Sequence, residues 1–152
     1  MNKFLQEAFT FVKNNYVRKD IEFIVEPKNL EFFVKGNELL FDVFTNILTN
    51  AVKYNENPKA KVFIKIHRVL RKQSWFVRLE FIDNGIGISD HIKKIIFLNG
   101  KSEEKRSKGL GFGMSLVKKI VNSYDGKIWI EDNIEGDRSK GTNVNILIPE
   151  CL

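Results

Sequence analysis

Three short segments carry residue types suited to handling phosphates, bases and metal ions. In the first, 38–54, the residues Leu40, Val43, Phe44, Ile47, Leu48 and Ala51 fall on one broad face of a helix turning about 100° per residue. Asn50 lies inside that apolar arc, between the directions of Leu39 and Val43. Asn46 and Lys53 sit at its margin, and Tyr54 on the arc itself. An amide aimed into apolar surroundings costs roughly a few kcal/mol unless something bonds it. Asn50 therefore either hydrogen-bonds a neighbouring backbone group or offers its carbonyl oxygen to a hard cation such as Mg²⁺, which takes neutral oxygens alongside substrate phosphates.

The second segment, Asp83-Asn84-Gly85-Ile86-Gly87-Ile88, closes a regularly alternating run. Asn-Gly is a strong hairpin signal, so a plain turn is one reading. In the other, the second glycine and the interleaved Ile82, Ile86 and Ile88 make a tightly bent wall that a flat ring could approach. Asp83 at its edge, acceptor-only when ionised, would suit an exocyclic amine such as adenine N6. The third segment, Lys108-Gly109-Leu110-Gly111-Phe112-Gly113-Met114-Ser115, leads straight into an apolar-periodic run. Backbone N–H groups left open by alternate glycines, next to a helix N-terminus, form a phosphate cradle, with Lys101, Lys105, Arg106 and Lys108 just upstream. A flexible hinge with a solvated basic face is the competing reading. The spacing is GxGxG and a charged stretch precedes it, unlike a Rossmann loop, and no GK[ST] follows as in a Walker A loop.

These segments need a scaffold, and the periodicity supplies one. Phe4, Leu5, Ala8, Phe9, Phe11, Val12 and Tyr16 recur at helical spacing, and strand-like runs follow at 21–25 and 32–34, separated by Pro27-Lys28-Asn29. The helix at 38–54 ends before Pro58. Strands are predicted at 61–69 and 74–83, a short helix at 90–98, a charged stretch at 99–108, a helix at 113–124 and strands at 127–131 and 142–148. With no internal repeat, 1–152 reads as a single α/β (α+β) domain, a two-layer sandwich of a mixed sheet with helices on one face.

Composition limits the partners. Twenty-five Lys and Arg against 19 Asp and Glu leave a net charge of +6, which favours an anionic partner. Hydrophobic residues at 43%, thirteen of them Phe, exclude a chain disordered throughout. The lone Cys151 can build neither a disulfide framework nor a cysteine zinc site, which fits a reducing, cytoplasmic setting. No apolar run approaches the roughly 20 residues needed to span a bilayer, and Glu7 interrupts the start where a secretory signal would be apolar, so no membrane contact is expected of this domain.

The order Asn46-x-x-x-Asn50-Ala51-x-Lys53-Tyr54, Asp83-x-Gly85-x-Gly87, Gly109-x-Gly111-x-Gly113 and Gly141-Thr142 resembles the catalytic ATP-binding domain of sensor histidine kinases, a branch of the GHKL ATPase superfamily. The resemblance runs from about Glu38 to Pro149. It implies that Asn50 ligates Mg²⁺ on the ATP phosphates, with Asn46 and Lys53 beside them and Tyr54 flanking the base. Asp83 would accept the adenine amine, Gly85, Gly87 and Ile88 would form the ring's wall, and Thr142 would help hold its edge. Lys108, Gly109, Leu110, Gly111, Gly113 and Met114 would anchor a lid at 99–108 and give backbone donors to phosphate. Phe97 resembles the start of the family's lid phenylalanine motif, although Leu98-Asn99-Gly100 follows in place of a second aromatic residue. In gyrase-like members the Asn46 position is a glutamate that activates water, and an amide cannot act as that base, so fast hydrolysis by this chain alone is not expected.

Kinase chemistry also needs an acceptor. Neither His67 nor His91 is followed by the acidic residue and arginine of a phosphoacceptor histidine. The resemblance therefore implies a dimerisation helical domain of the same kinase as phosphate acceptor, absent from 1–152, and a response regulator downstream. Two rivals remain. An anti-sigma-factor serine kinase shares the fold, but resembles the glutamate form of the Asn46 helix. A nucleic-acid module would use Lys59, Lys61, Lys65, Arg68, Arg71 and Lys72 with Phe63 and Trp75; no nucleic acid is expected if ATP is the ligand.

Overall fold

The protein's structure, a computed structural model, describes residues 1–28, 31–98 and 113–151. Helix α1 (Asn2–Asn15) buries Leu5, Ala8, Phe9 and Val12, the helical stripe read from the sequence. It packs on α2 (Leu39–Lys53), whose buried face runs Leu40, Val43, Phe44, Ile47, Leu48, Ala51 and Val52. Between them lies β1 (Asp20–Glu26), and after α2 come the long strands β2 (Lys59–Arg71) and β3 (Ser74–Asp83). The chain continues through α3 (Asp90–Ile95), α4 (Gly113–Ser123), β4 (Lys127–Ile134) and β5 (Asp137–Pro149).

The five strands form one sheet in the order β1-β2-β3-β5-β4. The β1–β2 pair is parallel, as a crossover through α2 allows, and the other pairs are antiparallel, which makes the sheet mixed. Alternation decides its two faces. Val62, Ile64 and Ile66 of β2, Val77, Leu79 and Phe81 of β3, and Val144, Ile146 and Ile148 of β5 are buried in one core with α1, α2 and α4. The opposite face is polar: Arg78 bonds Asn145 through Nε (3.0 Å) and a terminal nitrogen (2.7 Å), and its guanidinium lies 5.2 Å from the centroid of Trp129. No helix among the described residues is long and apolar enough to cross a membrane.

Three expectations change. Residues 32–34 form no strand of the sheet: Val34 makes an isolated bridge to Glu150, with Lys35 N–H donating to Pro149 O and Cys151 N–H to Phe33 O, both at 2.9 Å. β4 begins opposite Leu147, so only the last residues of the β5 side remain open to a further partner. The final hairpin is longer than its apolar alternation. β4 reaches Ile134 and β5 starts at Asp137, because the polar residues there pair with each other across the Glu135-Gly136 turn. Asn84-Gly85 does not turn a hairpin, since the chain passes from β3 into α3.

Phe44 and Phe81 meet at the centre of the core with ring centroids 5.9 Å apart and essentially no exposure. Phe44→Ala is expected to lower unfolding stability by about 3–5 kcal/mol, read as a lower urea midpoint at unchanged slope.

Candidate functional site

At the end of β3 the sheet, α2 and α3 enclose a cavity of about 230 Å³. Its lining is mostly aliphatic, and includes Ile47 and Ala51 from α2, Ile86 and Ile88 from the loop after β3, Ile92 and Ile96 from α3 and its end, and Ile130 and Val144 from β4 and β5. Asn50, Tyr54, Asp83 and Thr142 give it its polar points. A larger hollow of about 310 Å³ between α1 and β1 has Lys28 as its one ionisable lining residue and gathers no such set.

Asp83 is the most constrained group in the cavity. Its side-chain Oδ1 accepts from Gly85 N–H at 2.8 Å and from Thr142 N–H at 3.2 Å, while Oδ2 has no donor among the described residues. Residue exposure is 8%. Burial pushes the carboxyl from 3.8 up to about 6, against the lowering effect of the Gly85 and Thr142 N–H groups, so near neutral pH it is ionised but easily protonated.

The surrounding chain is bound to this point. Asn133 Nδ2 donates to Asp83 O at 3.3 Å and to Lys140 O at 2.9 Å, tying the final hairpin to β3. Gly141 has φ +106 and its missing side chain would overlap the Asp83 carbonyl, so only glycine lets the two backbones meet there. Asn84 Oδ1 accepts from Asn55 Nδ2 (2.7 Å) and Lys61 N–H (2.8 Å), its Nδ2 donates to Lys59 O (3.2 Å), and Ile86 N–H donates to Tyr54 O (3.1 Å). The loop is thereby fastened to the end of α2 and the start of β2.

The structure separates the sequence-derived residues into groups. Asn50, Tyr54, Asp83, Gly87, Ile88, Met114 and Thr142 line the same cavity. The Asn50 carbonyl oxygen of the main chain accepts from Tyr54 N–H at 3.0 Å, whereas its side-chain amide makes no hydrogen bond among the described residues, against the reading that the amide serves a neighbouring backbone group. The Tyr54 hydroxyl is buried without a hydrogen-bond partner among the described residues. Gly85 stands behind Asp83 as a donor. Asn46 lies outside the lining: its Nδ2 donates to Asp42 O at 2.7 Å, and its Oδ1 sits 2.5 Å from where a Cβ on Gly113 would stand. Lys53 is exposed, its Nζ 5.3 Å from the Tyr54 ring centroid. Lys108, Gly109, Leu110, Gly111 and the whole 99–108 stretch lie outside the described residues.

Sequence reasoning missed much of the apolar wall and the brackets behind it. Ile92 and Ile96 are four apart, a signal that was available; Ile130 and Val144 continue the buried face of their strands. Nothing local marks Asn84 or Asn133, whose partners are distant in the chain. Of the basic residues proposed for nucleic acid, Lys59 already faces Asp20 (3.6 Å) and Glu22 (3.8 Å), and Arg68 faces Glu150 (2.6 Å).

Comparison with known proteins bears on this geometry. Residues 36–151 match the family described as histidine kinase-, DNA gyrase B-, and HSP90-like ATPase. The adaptive-response sensory kinase SasA of Synechocystis is 28% identical over 129 residues, covering 83% of this chain and 33% of that protein. The sensor protein kinase WalK of Staphylococcus aureus is 31% identical over 137 residues, covering 86% of this chain and 31% of the relative. The chain thus spans about a third of these relatives. In fold, a mycobacterial sensor histidine kinase, MprB, superposes with TM-score 0.78 at 21% identity over 99% of this chain and 95% of that one. The catalytic domain of histidine kinase ThkA gives 0.72 at 22% identity over 99% and 92%. The family match spans α2, the residues that line the cavity and strands β2 to β5, and the chain belongs to the histidine kinase-, DNA gyrase B- and HSP90-like ATPases, with sensor histidine kinases among its relatives.

Proposed function

We propose that this chain binds ATP with Mg²⁺ and is the catalytic domain of a sensor histidine kinase, donating the γ-phosphoryl group to a histidine on a separate dimerisation helical domain of the same kinase. A response regulator would receive the group next, and residues 1–152 would act as one ATP-binding unit on the cytoplasmic side. The observation that carries this reading is Asp83: a carboxylate deep in an aliphatic cavity, with Oδ1 fixed by two backbone donors and Oδ2 left for a ligand. An exocyclic amine matches that acceptor, and the aliphatic walls match the two faces of a purine.

The phosphates would then extend toward Asn50 and the start of α4, where the positive end of the helix dipole favours anions. The donor set fits Mg²⁺: Asn50 offers the cavity one neutral side-chain oxygen that no described residue hydrogen-bonds. Phosphate and water oxygens would supply the other ligands, as is usual for this ion. When bound, the ion neutralises charge on the phosphates. Asn46 and Lys53 would act at the same end, and Lys108, Gly109, Leu110, Gly111 and Gly113 would give donors to phosphate. Transfer forms a bond from the acceptor nitrogen to phosphorus and breaks the bond to ADP; the chain's part is positioning and electrostatics. Asn46 cannot take a proton from water, so transfer to the partner is not drained by hydrolysis.

Four outcomes test this. Asp83→Asn is expected to weaken ADP binding on the order of 10- to 100-fold by titration calorimetry, and wild-type affinity in that variant overturns the assignment. The same substitution should stabilise the nucleotide-free chain. The carboxyl sits at about 6 against 3.8, so its contribution to stability is full below pH 3.8 and lost as pH rises through 6. The variant should therefore gain up to about 3 kcal/mol over wild type at pH 7.5, with the difference vanishing near pH 4 in urea unfolding. Asn50→Ala is expected to remove most of the gain in ADP affinity on adding Mg²⁺ while leaving metal-free affinity near wild type. Given γ-labelled ATP and a sensor kinase's dimeric phosphoacceptor domain, the chain should place acid-labile, base-stable label on that domain's histidine; labelling of serine instead would favour the serine-kinase alternative.

A further inference from the structure

Helix α3 forms the outer wall of the cavity, yet has little to hold it there. It is six residues long and none of them is fully buried. Ser89 Oγ caps it by accepting from Ile92 N–H at 3.3 Å, and Ile92 and Ile96 face the cavity. Its firm link to the sheet is polar. Lys93 Nζ bonds Asp132 Oδ1 at 2.5 Å and reaches Asp90 Oδ1 at 3.3 Å, with only 15% of the Lys93 side chain and 18% of the Asp132 side chain exposed. The two carboxylates hold the ammonium above its ordinary pKa although burial alone would lower it. An ion pair this sheltered is little screened by salt; without Lys93 the Asp132 carboxylate loses its cation, and without Asp132 the ammonium keeps only Asp90 of its own helix and no link to the sheet.

The position of Asp132 gives the pair its meaning. The β4–β5 register shifts between Asp132 and Ile134, a break in the regular ladder that frees these side chains from its strict alternation. There, neighbouring side chains serve one site from two sides: Asp132 takes Lys93, and Asn133 donates to the backbone carbonyl of Asp83. The same few residues of β4 thus hold both the floor and the outer wall of the cavity.

We infer that the Lys93–Asp132 pair is a positioning pair that seats α3 against the base end of the nucleotide pocket and so sets nucleotide affinity there. The inference rests on the ATP-binding reading above. ADP titrations with and without Mg²⁺ on wild type, Lys93→Met, Asp132→Asn and Lys93→Arg test it, with Asp83→Asn alongside. Lys93→Met and Asp132→Asn should each weaken ADP binding about tenfold, and Lys93→Arg should remain near wild type. The tenfold loss should be equal with and without metal, because the wall acts at the base and not at the phosphates; a general loss of structure would also lower the free chain's melting temperature and the Mg²⁺ response. If Lys93→Met does not fold, Asp132→Asn and Lys93→Arg still decide the matter. Affinity within about twofold of wild type in the folded charge-removing variants, with binding by Asp83→Asn weakened as expected, overturns the positioning role alone. Unchanged binding in Asp83→Asn overturns the nucleotide-site reading instead.

Discussion

A carboxylate can stay ionised inside an aliphatic cavity only where donors are already in place, and at Asp83 those donors are main-chain N–H groups, one from Gly85 two residues on and one from the distant Thr142. The regular β3–β5 ladder ends at Ile82 opposite Asn143. One step further, the Asp83 side chain reaches across to Thr142 N–H and back to Gly85 N–H, so the sheet's own register delivers the anchor. Even so held, the group titrates near 6, which means that burial outweighs both bonds. The folded chain carries a charge it would be more stable without, a cost expected of a site prepared for a ligand donor.

Much of the polar structure around the cavity serves to keep that anchor still. Asn133 fixes the Asp83 carbonyl, Gly141 lets the final hairpin lie against it, and Asn84 locks the following loop to β2 and to the turn after α2. None of these groups would touch a bound base in the arrangement described. The outer wall is different, because α3 has no core of its own and depends on side chains at its rim. Rigid floor and lightly held wall together fit a pocket that must admit and release a nucleotide.

The long apolar elements were legible because their signal is local. In α2 the helical period identified the buried face and also Asn50 as its polar exception, and the structure leaves that amide without a hydrogen bond among the described residues. The 32–34 run, strand-like in composition, makes only a single bridge, because strand formation needs a free partner and little edge was open. The last hairpin erred the other way: its charged residues hide an extended pairing set by the opposite strand and not by hydrophobicity.

The sequence by itself determined the helix faces, the alternation of the strands and the spacing of Asn50, Asp83 and Gly141-Thr142, since these follow from 3.6- and two-residue periods within single segments. It also carried the family, through the order of those segments. Tertiary structure alone decided that Asp83 is held by Thr142, 59 residues away, that Asn46 turns to Asp42 and Gly113 instead of the cavity, and that Lys93 finds Asp132 across 39 residues. The physical reason is that a hydrogen bond or ion pair depends on distances of about 3 Å, and no local periodicity encodes which remote groups the packed sheet and helices bring that close.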